Sequence, residues 1–252
     1  MSASFAASVA LNRRIVDART WQEVIEIMRA ANPASINNVC VATAFHRVAK
    51  LGGSSRGGGA DLAHVIGLIE SKVDELEPRQ ISNILWSFAK LGLRPKTDLW
   101  DALCGKAVRS AGSFKPQEVA NTLWAFATLG ILHSPSLLAA LSNAAERSAG
   151  SFNSQDVANT LWAFATMGIS PSPSLLSALS NDAERSAGSF NPQNVANTLW
   201  ALATLGISPS TSLLAALSNA AERSAGSFNP QAVANTLWAF GTLRLRLLRW
   251  RL

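Results

Sequence analysis

Apolar side chains recur every three or four residues along residues 116–129, which is the spacing of one face of a helix. Placed at about 100° per residue, the apolar side is formed by Val119, Ala120, Leu123, Phe126 and Ala127. The polar side is formed by Gln117, Glu118, Asn121, Thr122 and Thr128, with Trp124 at the boundary. This pattern predicts an amphipathic helix.

The same pattern returns at intervals of 38 residues. The segments ISNILWSFAKLG, VANTLWAFATLG, VANTLWAFATMG, VANTLWALATLG and VANTLWAFGTLR place a tryptophan at one fixed position, namely Trp86, Trp124, Trp162, Trp200 and Trp238. Between them runs SLLAALSNAAERSAGSF with few changes. Neither a helix nor a strand has a period of this length, so the identity predicts tandem structural repeats.

Each repeat carries the start and stop signals of two helices. Asn191 is a suitable N-cap, Pro192 suits the first helical position, and Gly206 ends the first helix. A second helix begins near Pro173 in the preceding unit and ends at Gly188. One such hairpin cannot bury its own apolar faces, so neighbours must stack. We therefore predict an all-α fold, a right-handed α-solenoid of 38-residue antiparallel helix-pair repeats.

The repeat pattern also divides the chain. Residues 77–240 hold the clear repeats, and residues 18–76 hold degenerate ones interrupted by a glycine-rich insertion at 52–59. Residues 1–17 are expected to be disordered or transit-like, since they are rich in Ser, Ala and Arg and have no acid before Asp17. Residues 241–252 form a divergent basic tail, either a phosphate-binding arm or the mark of a truncated or shifted longer array.

Charge is unevenly distributed, although the net charge is +6. Residues 1–115 carry 15 basic and 10 acidic side chains, whereas residues 116–240 carry three arginines and six acids. The clear repeats are therefore slightly acidic, and a nucleic-acid ligand would find its phosphate contacts mainly in the first half. The candidates there are Arg79, Lys90, Arg94, Lys96, Lys106, Arg109 and Lys115.

Side chains suited to catalysis or metal binding are few and scattered. His46, His64 and His133 have no acid or thiol at helical spacing, and Cys40 and Cys104 lie far apart within predicted helices. The cysteines are expected to be small core residues. We predict a protein that is not an enzyme and that uses no cofactor and no metal.

A Glu–Arg pair closes each second helix, at Glu146–Arg147, Glu184–Arg185 and Glu222–Arg223. Since arginine is favoured near a helix C-terminus, we interpret these pairs as solvated helix ends.

Two further positions are candidates for contacts with a base. The first is a constant asparagine, Asn83, Asn121, Asn159, Asn197 and Asn235. The second, three residues earlier, varies where nearly everything else is fixed, as Gln80, Glu118, Asp156, Asn194 and Ala232. Two interpretations stay open for the asparagines, satisfaction of backbone groups within the solenoid or contact with a ligand. For the variable position the alternatives are base contact and drift at an exposed site.

The repeated tryptophans are expected to form the structural core between hairpins. On the helical wheel Trp124, Trp162 and Trp200 should be mostly buried, which is the usual reason for a large aromatic at a fixed repeat position.

The motif Q-x-V-A-N-T-L-W-A-F-A-T-L-G in a 38-residue unit resembles the octotricopeptide repeat family, strongly over 78–240 and weakly over 18–76. That resemblance implies an organelle protein of a chloroplast or mitochondrion that binds transcripts and governs their stability, processing or translation. Its implied partners are single-stranded RNA and other proteins of an RNA-processing or translation complex.

From the residues, each hairpin would set its variable residue and its asparagine against about one nucleotide. The alternative is a protein-interaction scaffold whose groove accepts a helix or an extended peptide.

Overall fold

The structure is a computed structural model that describes residues 3–53, 59–130 and 135–249. Every regular element in these ranges is helical, which confirms the all-α prediction. The chain divides into two compact units, residues 1–114 and residues 115–252. Each unit is built from helical hairpins that stack on their neighbours, as the repeat pattern predicts.

Unit 1 contains six α-helices. They are α1 (Ala3–Asp17), α2 (Trp21–Ala30), α3 (Asn38–Lys50), α4 (Gly59–Ser71), α5 (Pro78–Leu91) and α6 (Thr97–Ser110). Helices α1, α3 and α5 pack side by side as one layer, while α2, α4 and α6 pack behind them. Single 3-10 turns at Pro33–Ser35, Val73–Glu75 and Ala111–Ser113 lead from the second layer back to the first.

The expectation of a disordered N-terminus is wrong for residues 3–17. They form α1, which packs against α3 and buries Leu11 and Ile15. These two side chains are four residues apart and so lie on one face of the helix. Their burial against α3 supplies the free energy that orders the segment.

Unit 2 contains seven helices. They are α7 (Pro116–Leu129), α8 (Pro135–Arg147), α9 (Ser154–Met167), α10 (Pro173–Ser186), α11 (Pro192–Leu205), α12 (Thr211–Arg223) and α13 (Pro230–Arg249). The first helices of successive repeats, α7, α9, α11 and α13, lie against one another in a continuous layer. Helices α8, α10 and α12 form a second layer, and each packs on the first helix of its own repeat.

The ends of these helices follow the sequence signals. The side chain of Asn191 accepts a hydrogen bond of 2.8 Å from the backbone N–H of Asn194, and Pro192 occupies the first position of α11. Gly206 ends α11 with φ = 74°, in the left-handed region that glycine enters without strain. The predicted boundaries of the clear repeats are thus confirmed.

The core of unit 2 is larger than the apolar side of a single helix suggests. Val119, Leu123 and Phe126 are buried as predicted, but so are Glu118 and Thr122, which the helical wheel places on the polar side. The reason is that an internal first helix is covered by two neighbouring first helices as well as by its own second helix. Only a narrow stripe of each first helix remains exposed.

The Glu–Arg pairs at the ends of the second helices connect repeats, so their interpretation as solvated helix ends is wrong. The Glu184 carboxylate accepts hydrogen bonds of 2.8 Å from the hydroxyls of Ser210 and Ser212, at the start of the next second helix. Arg223 reaches the other way and donates to the backbone carbonyl of Ala187 at 2.9 Å. Each second helix is therefore tied to the repeat before it and the repeat after it.

Glu146 makes the same forward contact. Its carboxylate accepts hydrogen bonds from the hydroxyls of Ser172 and Ser174. These hydrogen bonds stabilise the ionised form, so they hold the pKa of Glu146 below its usual value. The contact recurs with the 38-residue period, which identifies it as part of the repeat.

Asp182 adds a connection that its counterparts Ala144 and Ala220 lack. Its carboxylate is buried and accepts hydrogen bonds from the backbone N–H groups of Gly150 (3.1 Å) and Phe152 (3.2 Å). It also forms an ion pair of 2.8 Å with Arg185. The turn before α9 is therefore fixed to α10.

Replacing Asp182 by alanine is expected to lower the free energy of unfolding by about 2–3 kcal/mol, because two buried N–H groups lose a charged acceptor. Chemical denaturation would measure the change. Asn181→Ala is the matched control, since Asn181 is exposed on the same helix. Equal stability of both variants would contradict the structural role assigned to Asp182.

Two expectations concern the less regular segments. Residues 54–58 of the glycine-rich insertion lie outside the described residues, and Gly59 is the first residue of α4. Residues 241–249 of the basic tail continue α13 as helix. Among the helices in the described ranges, none is long and apolar enough to cross a membrane.

Candidate nucleic-acid interface

The variable position of the repeat turns out to be a helix-capping position. Gln80, Glu118 and Asp156 each accept a hydrogen bond from the backbone N–H of the residue three positions earlier, at 2.6, 2.8 and 3.3 Å. Each therefore satisfies a donor at the start of its helix that has no partner within the helix. Burial also raises the pKa of the Asp156 carboxyl.

The prediction that these variable residues are exposed base contacts is wrong for four of the five, since Glu118, Asp156, Asn194 and Ala232 are buried. Gln80 is half-buried and caps α5. The physical reason is the position of proline at the first turn. It puts the variable residue third in the helix, where its side chain turns back onto the backbone.

What remains exposed is a line of four positions on the first helix of each repeat, which we call the stripe. In α7 these positions are Gln117, Asn121, Trp124 and Thr128. Their spacing of four, three and four residues keeps them on one helix face. Gln117 and Thr128 are exposed, and Asn121 and Trp124 are half-buried. The same four residue types occupy the stripe of α9, α11 and α13.

The stripe asparagines favour the ligand-contact interpretation over the structural one. Within the described residues, the side-chain amides of Asn121, Asn159 and Asn197 take part in no hydrogen bond, and all three are half-buried at the surface. An amide that stabilised the solenoid would instead be bonded to a backbone group. Each amide therefore retains one donor group and one acceptor for a ligand.

The repeated tryptophans lie on the stripe and are only partly enclosed. Trp86, Trp124, Trp162 and Trp200 are half-buried, so the expected burial between hairpins is partial. The rings of Trp124 and Trp162 have centroids 6.3 Å apart and planes tilted by 33°. They form consecutive steps of an aromatic ladder along the layer of first helices.

Trp238 departs furthest from the predicted core, with 49% of its surface exposed. It lies on α13, the last described helix of unit 2, where no following first helix covers its side. Leu237 beside it is 66% exposed for the same reason, whereas its counterpart Leu199 is fully buried.

Unit 1 carries the same stripe with basic ends. In α5 the four positions are Arg79, Asn83, Trp86 and Lys90, and in α3 they are Val39, Thr43, His46 and Lys50. The rings of His46 and Trp86 are 4.8 Å apart, so the aromatic ladder is present here as well. Arg79, Lys50 and Lys90 are exposed. Unit 1 therefore combines aromatic and cationic groups on one surface.

The predicted phosphate contacts separate into two groups. Only Arg79 and Lys90 lie on the stripe, while Arg94, Lys96, Arg109 and Lys115 are exposed elsewhere. Lys106 donates a hydrogen bond of 2.7 Å to the backbone carbonyl of Asp74 and is half-buried. Lys106 therefore fixes a turn in unit 1. Lys50, which the repeat comparison could have identified from its alignment with Lys90, joins the stripe.

His46 is a neutral histidine in this setting. Burial, followed by the positive charges of Lys50, Arg47 and Arg79, lowers the pKa of His46 to about 4. Its Nδ1 atom is buried and has no hydrogen-bond partner among the described residues. The imidazole therefore contributes an uncharged ring to the aromatic ladder at neutral pH.

The low pKa of His46 predicts acid destabilisation of unit 1. Protonation favours the unfolded chain, whose histidine pKa is near 6.5. Stability is therefore full above pH 6.5 and falls as the pH drops toward 4, by up to about 3 kcal/mol. Denaturation of the His46→Gln variant across this range should show a weaker pH dependence. His64→Gln, at an exposed site on α4, should leave the profile unchanged.

The remaining candidates for chemistry do not gather into a site. Cys40 and Cys104 are buried core residues, as predicted. Burial raises the pKa of Cys40, and burial together with the charge of Asp101 raises the pKa of Cys104 to about 12. In the described ranges no three His, Cys, Asp or Glu side chains are grouped to hold a metal ion. His64 is exposed on α4, and His133 lies outside the described residues.

Comparison with known proteins adds two findings. The chain is 33% identical over 101 residues to the "RAP domain-containing protein, chloroplastic" of Oryza sativa subsp. japonica. That match covers 33% of this chain and 16% of the rice protein, so the chain spans a small part of that relative. A family model described as RNA-editing substrate-binding complex 6 protein (RESC6) matches residues 59–249, well over half of the sequence. The chain belongs to the RNA-editing substrate-binding complex 6 protein family.

Proposed function

We propose that this protein is a non-catalytic scaffold of octotricopeptide-type repeats that binds single-stranded RNA in a chloroplast or mitochondrion. The observation that carries the proposal is the stripe. It presents a partly exposed aromatic ring and an unpaired amide once per hairpin. Aromatic rings stack on unpaired bases, and amides bond to base edges, which is how single-stranded RNA is commonly bound.

The two units contribute differently to this activity. In unit 1, Arg79, Lys50 and Lys90 flank the aromatic ladder and neutralise phosphates. In unit 2 the stripe is uncharged, so binding there depends on stacking and hydrogen bonds. This division explains how an array with slightly acidic repeats binds a polyanion.

The family supports a role within a larger assembly, since its description names an RNA-editing substrate-binding complex. The rice relative is described as chloroplastic, which supports an organelle location. We propose that the protein acts with other proteins on transcript stability, processing or translation, and that its own contribution is binding.

The decisive test is binding of the purified chain to a labelled pool of random single-stranded RNA over a salt series, with duplex RNA of equal length as the control. We expect binding to the single strands, weakening as salt increases. Equal affinity for duplex RNA would contradict stacking on unpaired bases. No binding to any RNA at low salt would contradict the proposal and favour the protein-interaction scaffold.

A further inference from the structure

The surface that unit 2 offers to a ligand is the same in every repeat. The stripe reads Gln117, Asn121, Trp124, Thr128 in α7; Gln155, Asn159, Trp162, Thr166 in α9; Gln193, Asn197, Trp200, Thr204 in α11; and Gln231, Asn235, Trp238, Thr242 in α13. The one position nearby that varies between repeats is withdrawn from this surface, because it is buried at the helix start.

An invariant surface has a direct consequence for what it can select. Helical-repeat proteins that select a varied sequence use different side chains in successive repeats. Here the side chains are identical, so each nucleotide that occupies an equivalent place meets the same donors, acceptors and ring. Such an array favours a strand in which the same base recurs.

The chemistry of the stripe points to adenine as that base. The asparagine amide offers a donor and an acceptor side by side, and this pair matches the acceptor N7 and the donor N6 amino group of adenine. The corresponding edge of guanine carries two acceptors, N7 and O6, and would face the amide oxygen with a second acceptor. The larger ring system of a purine also gives more stacking contact with tryptophan than a pyrimidine does.

The spacing of the rings is compatible with one base per hairpin. The centroids of Trp124 and Trp162 are 6.3 Å apart, close to two stacking intervals of about 3.4 Å each. A base can therefore stack on each ring after a small rotation of the side chains. The amide of Asn121 is three residues before Trp124 and so lies on the same helix face.

We propose that the stripe of unit 2 binds a run of adenines in single-stranded RNA, about one adenine per hairpin. This inference rests on the proposed RNA-binding function and adds the base that is selected. It assigns base selection to Asn121, Asn159 and Asn197 and stacking to the tryptophans beside them. Because no basic side chain lies on this stripe, the preference for adenine should persist as salt is raised.

The test is a comparison of 12-nucleotide oligo(A), oligo(U), oligo(C) and a mixed-sequence RNA, each titrated with the full chain at several salt concentrations. Oligo(A) should bind about tenfold or more tighter than the others, since each matched amide–base pair contributes to discrimination. The triple variant Asn121→Ala, Asn159→Ala, Asn197→Ala should bind all four RNAs with similar affinity.

A matched control is provided by the same repeats. Asn143, Asn181 and Asn219 are exposed on α8, α10 and α12, away from the stripe. Their triple replacement by alanine should leave the preference for oligo(A) unchanged. Helical content and the thermal midpoint of both triple variants, measured by circular dichroism, would establish that each is folded.

The other outcomes are distinct. Equal binding of the four RNAs by the unaltered chain would overturn base selection but leave RNA binding intact. Tighter binding of oligo(U) or oligo(C) would overturn the assignment to adenine. Equal loss of preference in both triple variants would remove the assignment from the stripe. Failure to bind any of the four RNAs would overturn the proposed function together with this inference.

Discussion

Replacing Trp162 by alanine is expected to weaken RNA binding by roughly ten- to a hundredfold while the protein stays folded. Stacking of one base on an aromatic side chain is worth about 1–3 kcal/mol, which corresponds to that range. Trp162 is half-buried, so its removal should cost only about 1–2 kcal/mol of stability, less than the loss of a fully enclosed aromatic. RNA titration and chemical denaturation of the same sample would separate the two effects.

Phe164 provides the control, because it lies two residues further along α9 and faces the core with 1% of its surface exposed. Phe164→Ala should lower the free energy of unfolding by about 3–5 kcal/mol. Where that variant remains folded, its RNA affinity should be close to that of the unaltered chain. A larger stability loss for Trp162→Ala than for Phe164→Ala would show that the tryptophan is chiefly a core residue.

Removing the basic ends of the stripe in unit 1 should mainly change the salt dependence of binding. In the triple variant Lys50→Gln, Arg79→Gln, Lys90→Gln, the slope of log affinity against log salt should flatten by about two units. The reason is that each lost phosphate contact on a single strand removes about 0.7. Affinity at low salt should fall accordingly, while the order of preference among RNAs of different sequence should stay the same.

The comparison variant carries Lys96→Gln, Arg109→Gln and Lys115→Gln. It loses the same charge from exposed positions of the chain that lie off the stripe. If phosphates are bound along the stripe, this variant should retain most of the salt slope. Equal flattening in both variants would mean that net charge, and no particular surface, attracts the RNA.

The period and the punctuation of the sequence predict the helices of the clear repeats closely. Proline at the first turn and a left-handed glycine at the end depend only on residues within one helix, as at Pro192 and Gly206. The same is true of the apolar side that buries Val119 and Leu123. Local rules are sufficient where the structure depends on local geometry.

The errors arise where a side chain depends on a neighbouring helix. A wheel of one isolated helix places Thr122 on its polar side, but the adjoining first helix buries it. The contact of Glu184 with Ser210 joins residues 26 positions apart, which no helical spacing suggests. The capping role of Glu118 depends on which residue is third in the helix, and an uncertainty of one residue in the helix start hides it.

The caps of the first helices differ in a way that bears on how unit 2 opens. In α9 the side chain of Asn153 accepts from the N–H of Asp156, and Asp156 accepts from the N–H of Asn153 in return. In α11 and α13 only the first of these two bonds forms, from Asn191 and Asn229. The turn before α9 is also held by Asp182.

Opening of a repeat array proceeds most readily from units with weak interfaces and weak helix starts. Unit 2 should therefore loosen from α13 inward, with the hairpin of α9 and α10 as its most slowly exchanging segment. In hydrogen exchange, the amides of that hairpin would report global unfolding, and those of α13 would report local opening. Near-identical repeats can thus differ in lifetime, and an RNA strand would meet one end of the array in motion while its middle stays rigid.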